Sequence, residues 1–374
     1  NGCGWWVMSW VFDVVRAREV LSSGGFVAVT HGGVAHPDDT IAAALLYRRG
    51  AEAVYRVNSV VEILDLSSVI LFDVGDSWGV GGRFVVLDHH GVLDPVDEPS
   101  SVVQVMCAID ARPAPAVLTH IHYVDLFDRF GPSVRRLSGP YGHSLLRGVT
   151  AVFSKERGAV RDVKFLELLA EAFESKSVYD LGDYREAFRV VERLDVKNYV
   201  EKFPRSFWLL GLMLRAVDDV EVVYSRDAVE TGFGIDFGGY AVLAVPELER
   251  YVVEGLRLHF AEVKKAVDAV ASGRYVSLRR GEVWAVVVED YVSPSAVWNA
   301  LLDLEAVSGP GVVVVRDLRT PGGYTVWRPD VFRDRVDLRR LEGGDVVFRH
   351  VGGFMAVVRG LSGVDVANYV LERL

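Results

Sequence analysis

The sequence predicts an α/β protein in two parts: an N-terminal domain with a mainly parallel sheet and a helical insertion, then a smaller α/β C-terminal domain. Three observations predict it. Apolar runs near the N-terminus end abruptly in polar groups: Phe26–Thr30 at His31, Val69–Phe72 at Asp73, and Val85–Leu87 at Asp88-His89-His90. Residues 99–218 read almost wholly as helix. Short apolar strands alternating with helices resume after about residue 280. Continuous rather than alternating apolarity marks strands covered on both faces, as parallel strands are. Open α/β sheets collect ligands at the carboxyl ends of their strands.

Composition sets the bounds. The chain has 374 residues, 50% of them hydrophobic, enough for two cores. No apolar run reaches membrane-spanning length. The only cysteines are Cys3 and Cys107, so a disulfide framework is not expected and a reducing cytoplasm fits. Met8 looks like a natural start, and residues 1–7 are set aside from the fold. Gln104 is the only glutamine, Asn is scarce, and Val, Arg and Glu are abundant, a thermophile-compatible composition that genome bias alone also produces. The net charge of −10 argues against indiscriminate nucleic-acid binding. A polyanionic substrate would need metal ions or a local basic patch.

In order, the spacing predicts a helix over 10–22, a strand at 26–31, and a loop from His31 to Thr40 that opens a helix at Ile41–Arg49. Pro37, Asp38 and Asp39 suit its N-terminus. Strands follow at 52–57, 68–73 and 84–88. Helices are expected at 100–109, 114–130, 162–175, 183–194 and 205–217, weak strands at 220–225 and 239–245, and a long helix from Pro246 to about Ser272. Beyond a boundary near 273–280 come strands at 282–289, 311–316, 323–327, 345–350 and 354–358, with helices at 294–304 and 363–373. The expected domains are 8–275 and 276–374.

The strand ends and one helix carry the chemistry: His31, His36, Asp38 and Asp39 in the first loop, Asp73, then Asp88, His89 and His90, then Asp125 and Asp128 at i, i+3 on one helix face. Taken singly, each has a plain explanation. Asp38 and Asp39 could cap a helix, Asp125 and Asp128 could be a solvated face, and His31 could be structural. Together and in this order they point to a metal site. Asp/His donors without cysteine suit Mn²⁺ or Mg²⁺, and roughly seven donors suit two ions about 3.5–4 Å apart. Such a pair needs a bridging carboxylate, and Asp73 is the choice.

These residues resemble the DHH phosphoesterase superfamily, which includes RecJ-type nucleases, oligoribonucleases and family II pyrophosphatases. Asp88-His89-His90 matches the defining motif, and Asp73-Val74-Gly75 the single Asp before it. The chain looks most like the melanocyte-proliferating-gene branch. That branch opens with Thr-His-x-Gly-x-x-His-Cys-Asp-Glu, and Thr30 to Asp39 follow this with Pro-Asp-Asp at the end. Asp125-Leu126-Phe127-Asp128 loosely matches its Asp-x-x-Asp, and Phe348 to Phe354 its Phe-x-His-x-x-Gly-Phe. Gly91 stands where the branch has Gln. The resemblance implies that His31, His36, Asp38, Asp73, His89 and either Asp125 or Asp128 hold two Mn²⁺ or Mg²⁺ ions. It places Asp88 and His90 at the metal edge, so that Asp73, Asp88, His89 and His90 form the catalytic set.

For substrate, Arg129 to Lys164 is rich in cations: Arg129, Arg135, Arg136, Arg147, Lys155, Arg157, Arg161 and Lys164 against Glu156 and Asp162. A solvated helix face explains this as well as a backbone track does. In the second domain the resemblance implies that Arg328 and His350, beside Gly352-Gly353, grip a terminal phosphate or sugar. Three readings follow. The first is a phosphodiesterase, implied to be a 3′→5′ exonuclease on RNA or short oligonucleotides, with a metal-bridging hydroxide attacking phosphorus. The second is a small-molecule phosphatase or pyrophosphatase. The third is a catalytically silent nucleic-acid scaffold. No membrane partner is expected, and an oligomer is compatible.

Overall fold

The early strands are short and mostly apolar, Val69–Phe72 and Val85–Leu87 wholly so, which suits a parallel sheet covered on both faces. The computed structural model describes residues 9–74, 80, 82–90, 98–131, 145–175, 185–218, 237–350 and 352–374. Packing divides the chain into two units, Asn1–Leu194 with Leu212–Leu256, and Asp195–Gly211 with Arg257–Leu374.

In the first unit, helix α1 (Ser9–Ser23) leads into β1 (Phe26–His31), α2 (Pro37–Arg48), β2 (Ala51–Val57), β3 (Val69–Phe72) and β4 (Val85–Leu87). The sheet order is β4-β3-β1-β2-β5, where β5 is the two-residue strand Gly158–Ala159. β1 to β4 are mutually parallel, and β5 runs antiparallel to β2. Every residue of β3 and β4 is buried, as a strand covered on both faces requires. Register does the positioning. Phe72 lies opposite Leu87, so Asp73 and Asp88 leave the sheet side by side. Val29 lies opposite Leu71, so His31, two residues on, reaches the same edge.

The first turn of α2 differs from expectation. The helix begins at Pro37, four residues before the predicted Ile41. Pro37 needs no N–H partner there, and the Asp39 carboxylate accepts the His36 N–H at 2.9 Å. Asp38 and Asp39 therefore lie within the helix rather than the loop.

Helices α3 (Ser101–Ile109), α4 (Pro115–Phe130), α5 (Leu146–Ser154) and α6 (Val163–Glu174) follow, then α7 (Arg185–Phe188) and a 3₁₀ segment to Leu194. Next come α8 (Lys197–Lys202), α9 (Trp208–Asp218), α10 (Phe237–Ala244) and the long α11 (Glu249–Ala271). The strand expected at 239–245 is helix α10; it is apolar on every side and packs on α5, α6 and α7, so no period marked it. The strand expected at 220–225 lies outside the described residues.

α5 and α11 meet backbone to backbone. A Cβ on Gly255 would lie 1.7 Å from the Gly148 carbonyl oxygen, and one on Gly148 would lie 2.7 Å from that of Val252. Neither partner is a flexible side chain, so Gly255→Ala forces the helices apart. We expect it to cost about 3 kcal/mol and to lower the calorimetric midpoint by about 5 °C or more. A midpoint equal to wild type would disprove this close approach.

The second unit contains a six-stranded sheet, β10-β11-β9-β8-β7-β6. The strands are β6 (Val276–Arg280), β7 (Val283–Val288), β8 (Gly311–Arg316), β9 (Gly323–Trp327), β10 (Val346–Arg349) and β11 (Met355–Arg359), with α12 (Pro294–Asp303) and α13 (Gly363–Arg373). Among the described residues, only β7 and β8 of this sheet pair in parallel. The core runs through Val287, Val314, Val326, Val358 and Val370. β6 carried no readable signal because four of its five residues are exposed at the sheet edge. Among the described residues no helix is long and apolar enough to cross a membrane.

Candidate metal centre

Asp73 leaves β3 with φ +54°, in the left-handed region that Asp tolerates better than most residues. This turn sits where three parallel strands end, and the cluster forms there. The His31 Nε2 lies 3.0 Å from Asp73 Oδ2 and 3.5 Å from Asp39 Oδ2. His36 Nδ1 is 3.9 Å from Asp73 Oδ2, and His90 Nδ1 is 3.5 Å from Asp73 Oδ1. His89 Nε2 is 3.1 Å from Asp128 Oδ2. Three sets of donor atoms each fall within 4.8 Å: Asp73, Asp88, His89 and His90; His31, His36 and Asp73; and His36, Asp38 and Asp128. Asp73 belongs to the first two sets and His36 to the last two.

The donors fit a divalent cation. His31 Nδ1 lies 2.6 Å from the Gly32 carbonyl, a contact that requires a proton on Nδ1. That leaves the neutral ring's Nε2 lone pair facing two carboxylate oxygens, which only a proton or a cation reconciles. Among the described residues, the buried oxygens Asp38 Oδ1, Asp39 Oδ2 and Asp73 Oδ1 accept no hydrogen bond. Oxygen and imidazole donors without thiolate suit Mg²⁺ or Mn²⁺.

Electrostatics agree. Burial pushes Asp73 well above the usual carboxylate range, and the charges of Asp38, Asp128, Asp39 and Asp88 push it further. Burial raises Asp128 likewise, reinforced chiefly by Asp38. Burial lifts Asp39 to about 7 against the pull of Arg56, and lifts Asp38 against the hydrogen bond from Ser101. Asp88 and His90 behave as a pair. Burial opposes charge on both, yet their mutual attraction outweighs it, holding Asp88 at about 2 and His90 at about 9. Their contact, His90 Nδ1 to Asp88 Oδ1, is 2.5 Å. Without a cation these raised carboxyls take up protons; a bound divalent cation would let them ionise together.

Asp125 and Asp128 have separate surroundings. Asp128 lies in the cluster. Asp125 Oδ1 accepts the Ser100 N–H at 2.7 Å, and its Oδ2 accepts from Arg129 Nη2 at 2.6 Å. Asp125 thereby ties α4 to the start of α3. Asp125→Ala leaves a nearly buried guanidinium without that partner, and we expect a loss of about 3 kcal/mol in stability with Mn²⁺ stoichiometry unchanged. Calorimetry beside a metal titration checks both halves; a loss of one bound ion would contradict the second.

Asp39, one of the loop acids but not in the ligand set the resemblance implies, faces His31 at 3.5 Å. Ser101, which the sequence does not single out, donates its Oγ–H to Asp38 Oδ2 at 2.7 Å. The serines before α3 signalled a helix start, but nothing local pairs Ser101 with a residue 63 positions earlier.

The expected substrate residues fare unevenly. Arg135 and Arg136 lie outside the described residues, as do Gly75 and Gly91 of the sequence motifs. Arg147 sits half-buried on α5. Lys155 pairs with Glu254, Lys164 pairs with Glu167, and Arg157 donates to the Ser154 and Glu156 carbonyls. Local partners thus hold these three. Arg328, expected to grip phosphate, is instead buried and donates to the carbonyls of Pro329, Asp330 and Gly352. A guanidinium so enclosed supports its own loop in the second unit. There, His350 Nδ1 accepts the Gly352 N–H at 2.9 Å, and Gly353, at φ +65°, donates to the His350 carbonyl.

No family model matches the chain. No curated protein matches it either. Among solved structures, it is similar to RecJ in complex with Mn²⁺ from Thermus thermophilus, at 14% identity over 98% of this chain and 54% of that one, TM-score 0.40. It is similar to an exonuclease RecJ bound to manganese, at 15% identity over 97% and 93%, TM-score 0.41. A third similar structure is the DHH domain of a member of the s1p family of ribosomal proteins, at 13% identity over 97% and 90%, TM-score 0.39. The chain is similar to DHH-domain proteins. It spans about half the length of the Thermus RecJ. At these identities and scores the likeness stands as likeness, and the functional reading rests on the cluster itself.

Proposed function

We propose that the chain is a dinuclear-metal phosphodiesterase of the DHH type, an exonuclease that shortens RNA or short oligonucleotides from the 3′ end. The observation that carries this reading is the convergence of Asp38, Asp39, Asp73, Asp88 and Asp128 with His31, His36, His89 and His90 at one sheet edge. His31, His36, Asp38, Asp73, His89 and Asp128 would hold the cations, Asp73 being common to two of the donor sets; Asp125, whose oxygens accept from Ser100 and Arg129, is left out of this set. When bound, a pair of divalent cations supplies the Lewis acidity and positive charge that phosphoryl displacement needs. Asp88 keeps a proton on His90 Nδ1, so at neutral pH the imidazolium also carries an Nε2 proton to donate to a phosphate oxygen. His350 and the Gly352-Gly353 turn are assigned to the substrate within the second domain, whose limits we keep at 276–374. Affiliation with the melanocyte-proliferating-gene branch rests on the sequence motifs.

One observation favours a second reading, a small-molecule phosphatase or pyrophosphatase: the local partners of Lys155, Arg157 and Lys164 weaken the case for a backbone track. Incubation with Mn²⁺ separates the two. Stepwise shortening of end-labelled RNA supports the exonuclease. Phosphate release from pyrophosphate or a nucleoside bisphosphate, without shortening, supports the second. Neither activity, from protein shown to bind Mn²⁺, rejects both and leaves a silent scaffold.

A further inference from the structure

The loop that carries His31 and His36 is held from behind by groups outside the ligand set. Gly32 N donates to the Val57 carbonyl. The next carbonyl, on Gly33, accepts from Arg56 Nη2 at 3.2 Å, while Arg56 Nη1 donates to the Phe153 carbonyl at 2.8 Å. Ala35 N donates to Ser154 Oγ at 2.8 Å, and that hydroxyl donates to the Thr150 carbonyl at 2.8 Å. Loop and helix end are therefore joined through two side chains.

Arg56 is an unusual residue for the middle of a sheet. It is 1% exposed, and its guanidinium lies 4.8 Å from the centre of the Phe153 ring. Phe153 O is among the last carbonyls of α5, at the negative end of the helix dipole, and accepts the Glu156 N–H at 3.2 Å beside the guanidinium. That end favours a buried cation. The planar fork can serve Phe153 and Gly33 together; a lysine ammonium on a flexible stem cannot reproduce that geometry.

We infer that Arg56, seconded by Ser154, is a positioning residue for the candidate metal centre: its fork fixes the 31–36 loop so that His31 and His36 are already spaced for a divalent cation. The inference rests on the metal-centre reading above. It makes a prediction opposite in sign to simple electrostatics. Removing a positive charge from beside a cation site, by itself, tightens cation binding. Removing a positioning group loosens it, as partners that orient metal ligands do.

The test is Mn²⁺ titration by calorimetry on wild type, Arg56→Lys, Arg56→Met and Ser154→Ala, with thermal melts of each in chelator. Wild type is expected to bind Mn²⁺. Both Arg56 variants should bind it about tenfold or more weakly, and Ser154→Ala a few-fold more weakly. Arg56→Lys keeps the charge, so its weakening isolates geometry. A purely structural role would lower the chelator melts while leaving the affinity of the folded fraction unchanged, and that result overturns the inference. Tighter binding by Arg56→Met overturns it too. Should Arg56→Met not fold, Arg56→Lys and Ser154→Ala decide the matter by the same criterion. Wild type that takes up no Mn²⁺ removes the metal centre itself, an outcome distinct from variants that match a binding wild type.

Discussion

Asp73→Asn is expected to cut turnover by more than about a hundredfold and to weaken Mn²⁺ binding by a comparable factor. Groups that merely orient ligands cost ~10–100-fold when removed, and Asp73 belongs to two of the donor sets at once. Asn tolerates φ +54° as Asp does, so the turn after β3 survives. The same substitution removes a buried carboxyl that burial and four neighbouring acids hold well above its usual pKa. Metal-free Asp73→Asn should therefore melt at or above the wild-type midpoint at neutral pH, while metal-free activity stays nil in both. Lost activity with a stabilised apo-protein separates this residue from an ordinary core position. A destabilised apo-protein, or wild-type affinity for Mn²⁺, would contradict its place at the centre.

The second large effect concerns pH. In chelator the thermal midpoint should fall as pH rises from about 5 to 9. Asp39 is lifted from 3.8 to about 7, so the stability it contributes is complete below 3.8 and is lost as pH climbs through 7. Asp73 and Asp128 are raised and act in the same direction. His90 is lifted from 6.5 to about 9, so its contribution is complete below 6.5 and disappears through 9. Asp88, held at about 2, contributes above 3.8 and loses that only in strong acid. Each shifted unit is worth roughly 1.4 kcal/mol, so a fall of ~5 °C or more is expected across the window. Saturating Mn²⁺ should reverse the slope, because a cation binds the deprotonated donors and competes with protons. Melts across pH with chelator and with Mn²⁺ check this; a flat or rising chelator curve would show that the acids do not share one buried site.

Much of the site was legible because strand ends are legible. An apolar run that stops at His or Asp declares both a buried strand and a polar tip, and Phe72-Asp73 and Leu87-Asp88 are such junctions. Pro37-Asp38-Asp39 reads equally as loop or as first helical turn until the Asp39 carboxylate finds the His36 N–H, so the sequence places the start of α2 four residues late. An apolar segment buried on all sides has no period, so the residues of α10 suggest a strand as readily as a helix. The phosphate grip at Arg328 came from the resemblance, and a motif does not show the carbonyls that enclose the guanidinium.

The amino-acid sequence by itself determined which residues end the strands and therefore which acids and imidazoles stand at the sheet's carboxyl edge; alternation, breakers and polar termini are local properties. Only the tertiary structure gave Asp125 and Asp128 separate surroundings, brought Ser101 to Asp38, and set Arg56 and Ser154 behind the histidine loop. Those choices depend on contacts between residues tens of positions apart. Parallel register and helix packing make such contacts, and no local pattern encodes them.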